Sequence, residues 1–268
     1  MQKKVNIDIV IKNGEKMDDI AEILHWYILS GIDEVCDDEP YNALCQSSEK
    51  ITIENTRPAT TLLAQANNIA CNNAKELCSK AQTLDDLKAM LENFEGCSLK
   101  FSANSTVFGY GNPQAEIVIV GEAPGADEDR IGEPFVGRSG HLLDKMLKTI
   151  SLSRDDCWIT NVLPWRPPGN RTPTDGEVAV CLPFLKRQIE LIKPKIIFIL
   201  GGSAANALLD NGESISHLRG RFIDYTLNNG DTIPTLSSFH PAFLLRSAPQ
   251  KAKAWSDLLR LQRKLKEL

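Results

Sequence analysis

A chain of 268 residues, 42% hydrophobic and 24% charged, has a globular composition and room for one large domain or a medium domain with an appendage. No apolar run reaches the ~18 residues of a helical membrane span, and the start MQKKVNIDIVIKNGEKMDD lacks the apolar core and cleavage site of a secretory signal. Seven irregularly spaced cysteines argue against a disulfide framework and for a reducing, cytoplasmic compartment. Charge is unevenly divided. Residues 1–95 hold nine Lys and Arg against 17 Asp and Glu, whereas residues 96–268 hold 21 against 18. Only the second part can meet phosphates through a local basic patch.

In chain order, residues 17–38 predict an amphipathic helix with Ile20, Ile23, Leu24, Tyr27 and Ile28 on one face. Residues 39–58 are polar and turn-rich, a loop or linker. Further helical patterns fill 59–93 without site chemistry. Residues 1–93 therefore read as an acidic, helical and partly disordered N-terminal extension, with a second domain over 94–268. In that domain Glu116–Val120 predicts a buried strand, and Ser139 can cap a helix carrying Leu142, Leu143, Met146, Leu147 and Ile150. Cys157–Leu163 predicts a second strand. Glu177–Ile192 predicts a helix whose early part Pro183 should kink. Ile196–Leu200 is a third strand, followed by a helix around Ser203–Leu209. Ile233–Phe239 is a fourth strand, and Pro249–Leu268 closes the chain as a helix. Strands too apolar to have a wet face, alternating with helices, predict a three-layer α/β/α fold around a mostly parallel four-stranded sheet. Ligands of such sheets sit beyond the carboxyl ends of the strands.

The strand ends hold the informative residues. After the first strand comes GEAPGADEDRIGEPFVGRSG, residues 121–140, whose glycines admit close backbone approach. Its acidic residues and its lack of a Gly-Lys-Ser/Thr ending exclude a triphosphate loop. Phe135 is either core or a flat plate for a stacked base. Asn161, ending the second strand, either ties its own turn or presents a donor and an acceptor to a pyrimidine edge. The proline-rich loop that follows carries Arg166 and Arg171, suited to phosphate or simply solvated. His240 stands at the exit of the fourth strand. After it, Phe243, Leu244, Leu245 and Arg246 read either as a buried helix start or as an apolar wedge with an arginine for phosphate.

Taken in order, three segments resemble the family-4 type of uracil-DNA glycosylase over roughly residues 94–262. The matching residues are Gly121-Glu122-Ala123-Pro124-Gly125 with Glu128-Asp129, Pro134 to Gly140, Thr160-Asn161, Arg166-Pro167-Pro168 with Asn170-Arg171, and Phe239-His240-Pro241 through Leu244-Leu245-Arg246. The resemblance implies a hydrolase of the uracil–deoxyribose bond acting as a monomer on uracil-containing DNA. It implies that Phe135 stacks on an extruded uracil, that Asn161 reads its polar edge, and that Ala123 and Gly125 line the base site. His240 would donate to the uracil oxygen that gains charge, Glu122 would handle the attacking water, and Glu128 would be a further polar partner in catalysis. Arg138, Ser139, Arg166, Arg171, Leu244 and Arg246 would contact the DNA. A related family has an Asp where this chain has Ala123, which cannot activate water. PPGNRTPT also lacks the histidine-bearing insertion of a group that forms covalent DNA adducts.

The resembling family often holds a four-iron–four-sulfur cluster through four cysteines. Cys97 and Cys181 match two of those positions, but Phe94 and Trp165 stand at the other two. Neither aromatic coordinates iron, so no cluster and no other cofactor is expected. A cluster would return only if Cys71, Cys78 or Cys157 substituted, which their spacing gives no reason to expect. Two other readings compete. One is a catalytically inactive DNA-binding protein on the same fold; the other, a nucleotide-binding oxidoreductase, lacks the G-x-G-x-x-G spacing after a strand.

Overall fold

The structure, a computed structural model, describes residues 59–268. The helix expected over 17–38 and the loop over 39–58 lie outside the described residues. The first helices are α1 (Ala59–Lys80), α2 (Leu84–Asn93) and α3 (Leu99–Ser102). Short strand β1 (Tyr110–Gly111) precedes β2 (Ile117–Gly121), α4 (Ala126–Ile131), α5 (Arg138–Thr149) and β3 (Cys157–Asn161). Then come α6 (Asp175–Ile192), β4 (Ile196–Leu200), α7 (Gly202–Leu209), α8 (Ile215–Leu218), β5 (Phe222–Thr226), β6 (Thr232–Ser238), α9 (Pro241–Arg246) and α10 (Lys251–Glu267).

The sheet has six strands in the order β1-β3-β2-β4-β6-β5. The four strands expected from sequence are its parallel centre, and β1 and β5 add antiparallel edges. Every residue of β2, β3 and β4 is buried, so backbone pairing and apolar side chains on both faces fix these strands. Alternation along β2 sorts the two faces. Val118 and Val120 face the core under α1, α2, α6 and α7, whereas Ile117 and Ile119 face the core under α5, α9 and α10. From β2 the chain goes to β3 on one side and to β4 on the other. This makes a switch point beside the carboxyl end of β2.

Helices α1 and α2 pack on α6. Two expectations on the helices change. Helix α6 continues through Pro183 without a break. A proline there frees the carbonyl four residues earlier, that of Ala179, and the Cys71 thiol of α1 donates to this oxygen at 3.4 Å. Ser139 is not the cap of α5. Gly137 holds that position, and Ser139 lies inside the first turn, where its hydroxyl can face outward.

Candidate active site

The carboxyl ends of β2, β3 and β6 open into a cleft of about 410 Å³ that brings together Glu122, Ala123, Gly125, Glu128, Phe135, Ser139, Asn161, Arg171, His240 and Arg246. A groove of about 1390 Å³ near the starts of β4 and β6 is larger but contains none of these residues. Size therefore does not decide; the convergence of unlike polar groups with a ring does.

Asn161 is 5% exposed at the last position of β3. Its side-chain amide makes no hydrogen bond with another described residue and lines the cleft, so its donor and acceptor are left for a ligand. Gly121 lies opposite it in the parallel ladder, where a Cβ would come within 2.4 Å of Asn161 Oδ1 and 2.6 Å of the Phe135 ring. Only glycine lets amide and ring approach over this strand end. Phe135 is 4% exposed, and its backbone is left-handed, with φ 55°. That conformation costs a bulky residue about 1–3 kcal/mol and persists only where its surroundings impose it. Its ring faces the His240 imidazole at 5.5 Å between centroids and 27° between planes.

His240 caps α9. Its Nδ1 accepts from the Ala242 N–H at 3.1 Å, which assigns the proton to Nε2 as the remaining donor. Burial pushes the imidazole down to about 4; Arg246 adds to the shift and Glu128 opposes it. His240 is therefore neutral at physiological pH and can donate without first being charged. Glu122 continues the pairing of β2 with β3, its carbonyl accepting from the Leu163 N–H at 3.0 Å, while its carboxylate borders the cleft.

Glu128 has another task than the one expected. Its Oε2 accepts from the Gly125 N–H at 3.1 Å and its Oε1 from the Gly137 N–H at 2.9 Å, so both oxygens hold helix-start amides. It ties the two loop glycines together. Its place three residues after the Gly125 cap was the readable signal. The neighbouring Asp129 likewise accepts from Asn104 and Ser105, which accounts for much of the loop's acidity.

The two adjacent leucines of α9 differ in burial. At 1% exposure Leu244 is core beneath α9, whereas Leu245 is 41% exposed. A side chain locked in the core cannot enter a base stack. Arg138 and Arg166 do not line the cleft; Arg166 donates from Nε to Asn170 Oδ1 at 2.8 Å. Arg171 lines it but is forked onto Glu177 at 2.6 and 2.9 Å. Pro167, Thr172 and Ala242 also line the cleft and were not singled out.

The residues at the family's cluster positions do not fit a cluster. Phe94 lies 5.2 Å from Phe184, centroid to centroid, and Trp165 is fully buried with Nε1 donating to Thr106 Oγ1 at 3.0 Å. The Cys97 and Cys181 thiols are neighbours in the core. This contact holds Cys97 below the usual thiol range and, together with burial, raises Cys181. Among the described residues no three His, Cys, Asp or Glu side chains gather as a metal site. Cys157 faces the opposite core of the sheet, and Cys71 is engaged with Ala179, so neither joins the pair.

A ring, an unpartnered amide and a neutral imidazole at the ends of parallel strands define a class of α/β proteins that receive a flat heterocycle with a polar edge. The chain belongs to the uracil-DNA glycosylase superfamily, whose family model matches residues 108–259. It is 41% identical over 170 residues to a type-4 uracil-DNA glycosylase of Thermotoga maritima, covering 63% of this chain and 86% of that protein. It is 40% identical over 184 residues to a type-4 uracil-DNA glycosylase of Archaeoglobus fulgidus, covering 67% and 92%.

Proposed function

We infer that this protein is a uracil-DNA glycosylase that hydrolyses the bond between uracil and deoxyribose in DNA and needs no iron–sulfur cluster to do so. The convergence of Phe135, Asn161 and His240 on one cleft carries the reading. An extruded uracil stacks on the Phe135 ring, and its amide edge pairs with the Asn161 side chain. As the C1′–N1 bond breaks, its electron pair moves onto the uracil, and the sugar becomes cation-like. His240 Nε2–H donates to the ring oxygen on which charge accumulates, a stabilisation that grows toward the transition state. Water adds its oxygen to C1′. Its proton passes by way of Glu122 to solvent or to the departing uracil anion. Arg246, on the cleft margin, meets the DNA backbone, and Leu245 is the leucine free to fill the space left by the base. The chain acts as a monomer in the cytoplasm.

The aromatic side chains at positions 94 and 165 support the cluster-free reading, because they supply packing where the family has ligands. Retention of an unpartnered Asn161 beside a neutral His240 favours an enzyme over an inactive DNA-binding protein. A protein that only binds DNA has no need of a neutral imidazole donor set beside a base-reading amide in one cleft. The test is incubation with paired oligonucleotides containing uracil or thymine, followed by alkali. Strand breaks at uracil alone are expected; a folded protein that binds both oligonucleotides and leaves both intact would establish the inactive alternative.

A further inference from the structure

Phe135 must hold its ring over the strand ends from a backbone conformation that phenylalanine seldom adopts. Its side chain alone does not account for this. The restraint lies on the carbonyl side of the residue, away from the cleft. Arg154, in the short 3-10 turn Arg154–Asp156 before β3, spreads its guanidinium across two successive carbonyls. Nη1 donates to Pro134 O at 3.1 Å, and Nη2 donates to Phe135 O. The third edge of the fork is also used, because Nε donates to Asp144 Oδ1 at 2.6 Å. Asp144 lies on α5 one turn beyond Gly140, and Gly140 is where the Phe135 carbonyl rests on the helix. A Cβ at position 140 would fall 1.7 Å from that oxygen. The carbonyl is thus trapped between the bare helix surface at Gly140 and an arginine anchored on the same helix face.

We propose that Arg154 is a positioning residue for base recognition, holding the Phe135 ring at the stacking angle through the Pro134 and Phe135 carbonyls, with Asp144 fixing the guanidinium. The proposal rests on the function inferred above. Arg154 does not border the cleft, so it touches no substrate and acts only through Phe135. The planar fork is essential. A lysine in its place reaches one carbonyl at a time and leaves the other to swing.

A double-mutant cycle on the full-length protein tests this, read as single-turnover release of uracil from an oligonucleotide, with melting temperature measured alongside. Arg154→Met is expected to slow release by about 10²-fold, the scale of a misplacement of about 1 Å transmitted to a reacting geometry. In a Phe135→Ala background the same change should cost less than about threefold, since no ring remains to position. Arg154→Lys should recover part of the loss. Equal losses in both backgrounds, or no loss in either, would overturn the proposal, because a purely structural arginine weakens the fold whatever stands at position 135. If Arg154→Met does not fold, Arg154→Lys takes its place in the cycle with the same pattern at smaller amplitude. Inactivity of the unsubstituted protein on uracil would instead refute the proposed function.

Discussion

The cleft at the strand ends and the aromatic cluster around Trp165 both contain buried polar groups, but they treat them in opposite ways. In the cluster Trp165 Nε1 donates to Thr106 Oγ1, and the Cys97 and Cys181 thiols are neighbours. In the cleft the Asn161 amide and His240 Nε2 have no partner among the described residues. Meanwhile the neighbouring carboxylates are occupied, Glu128 by two backbone amides and Asp129 by two backbone amides and the Asn104 side chain. Burial and charge alone therefore do not mark the chemistry. Unlike polar groups that face one cleft with no partner of their own do, because they remain free to meet a ligand.

The sharpest way to break this contrast is on its dry side. Trp165→Ala should cost about 3–5 kcal/mol of stability, read by denaturant unfolding, while uracil release at low temperature stays close to that of the unsubstituted protein. A large loss of activity at unchanged stability would move Trp165 into the site. The two adjacent leucines provide the next test. Leu244→Ala should destabilise by about 2–5 kcal/mol, whereas Leu245→Ala should leave unfolding nearly unchanged and lower the rate on duplex more than on single-stranded substrate.

On the wet side, His240→Ala should slow base release by about 10²–10³-fold with little change in DNA affinity, because its bond strengthens as charge develops. Equal losses in both would leave His240 a binding residue. The smallest effect is on pH. Because the folded-state value of His240 lies near 4 and the ordinary value is 6.5, the unfolded chain takes up the proton first as pH falls. The stability linked to this group is complete above about pH 6.5 and is lost as pH drops toward about 4. His240→Asn should therefore show a flatter fall of melting temperature across that window than the unsubstituted protein. Parallel profiles would place the proton elsewhere.

The parallel core of the sheet was legible because EIVIV, CWITNVL and IIFIL are short β-branched or apolar runs with no wet face. The edges were not. Tyr110–Gly111 is too short to carry a period, and Phe222–Thr226 alternates only weakly at an exposed margin. Pro183 misled because the compensating donor, Cys71, lies 108 residues away in sequence. In the site, Phe135, Asn161 and His240 could be found as odd residue types at strand exits. Leu244 and Leu245 could not be told apart, since one step around a helix decides which faces the core, and that depends on how α9 seats on the sheet. Arg154 gave no signal at all, because it acts on carbonyls that every residue possesses.

The central claim is that one strand-end cleft releases uracil in a protein whose cluster positions are filled by aromatic packing. The most direct measurement assays a single preparation, purified without oxygen, for both iron content and alkali-labile breaks at uracil. Breaks at uracil from protein lacking stoichiometric iron are the predicted result. Breaks that appear only in proportion to four irons per chain, or no breaks from folded protein, would contradict it.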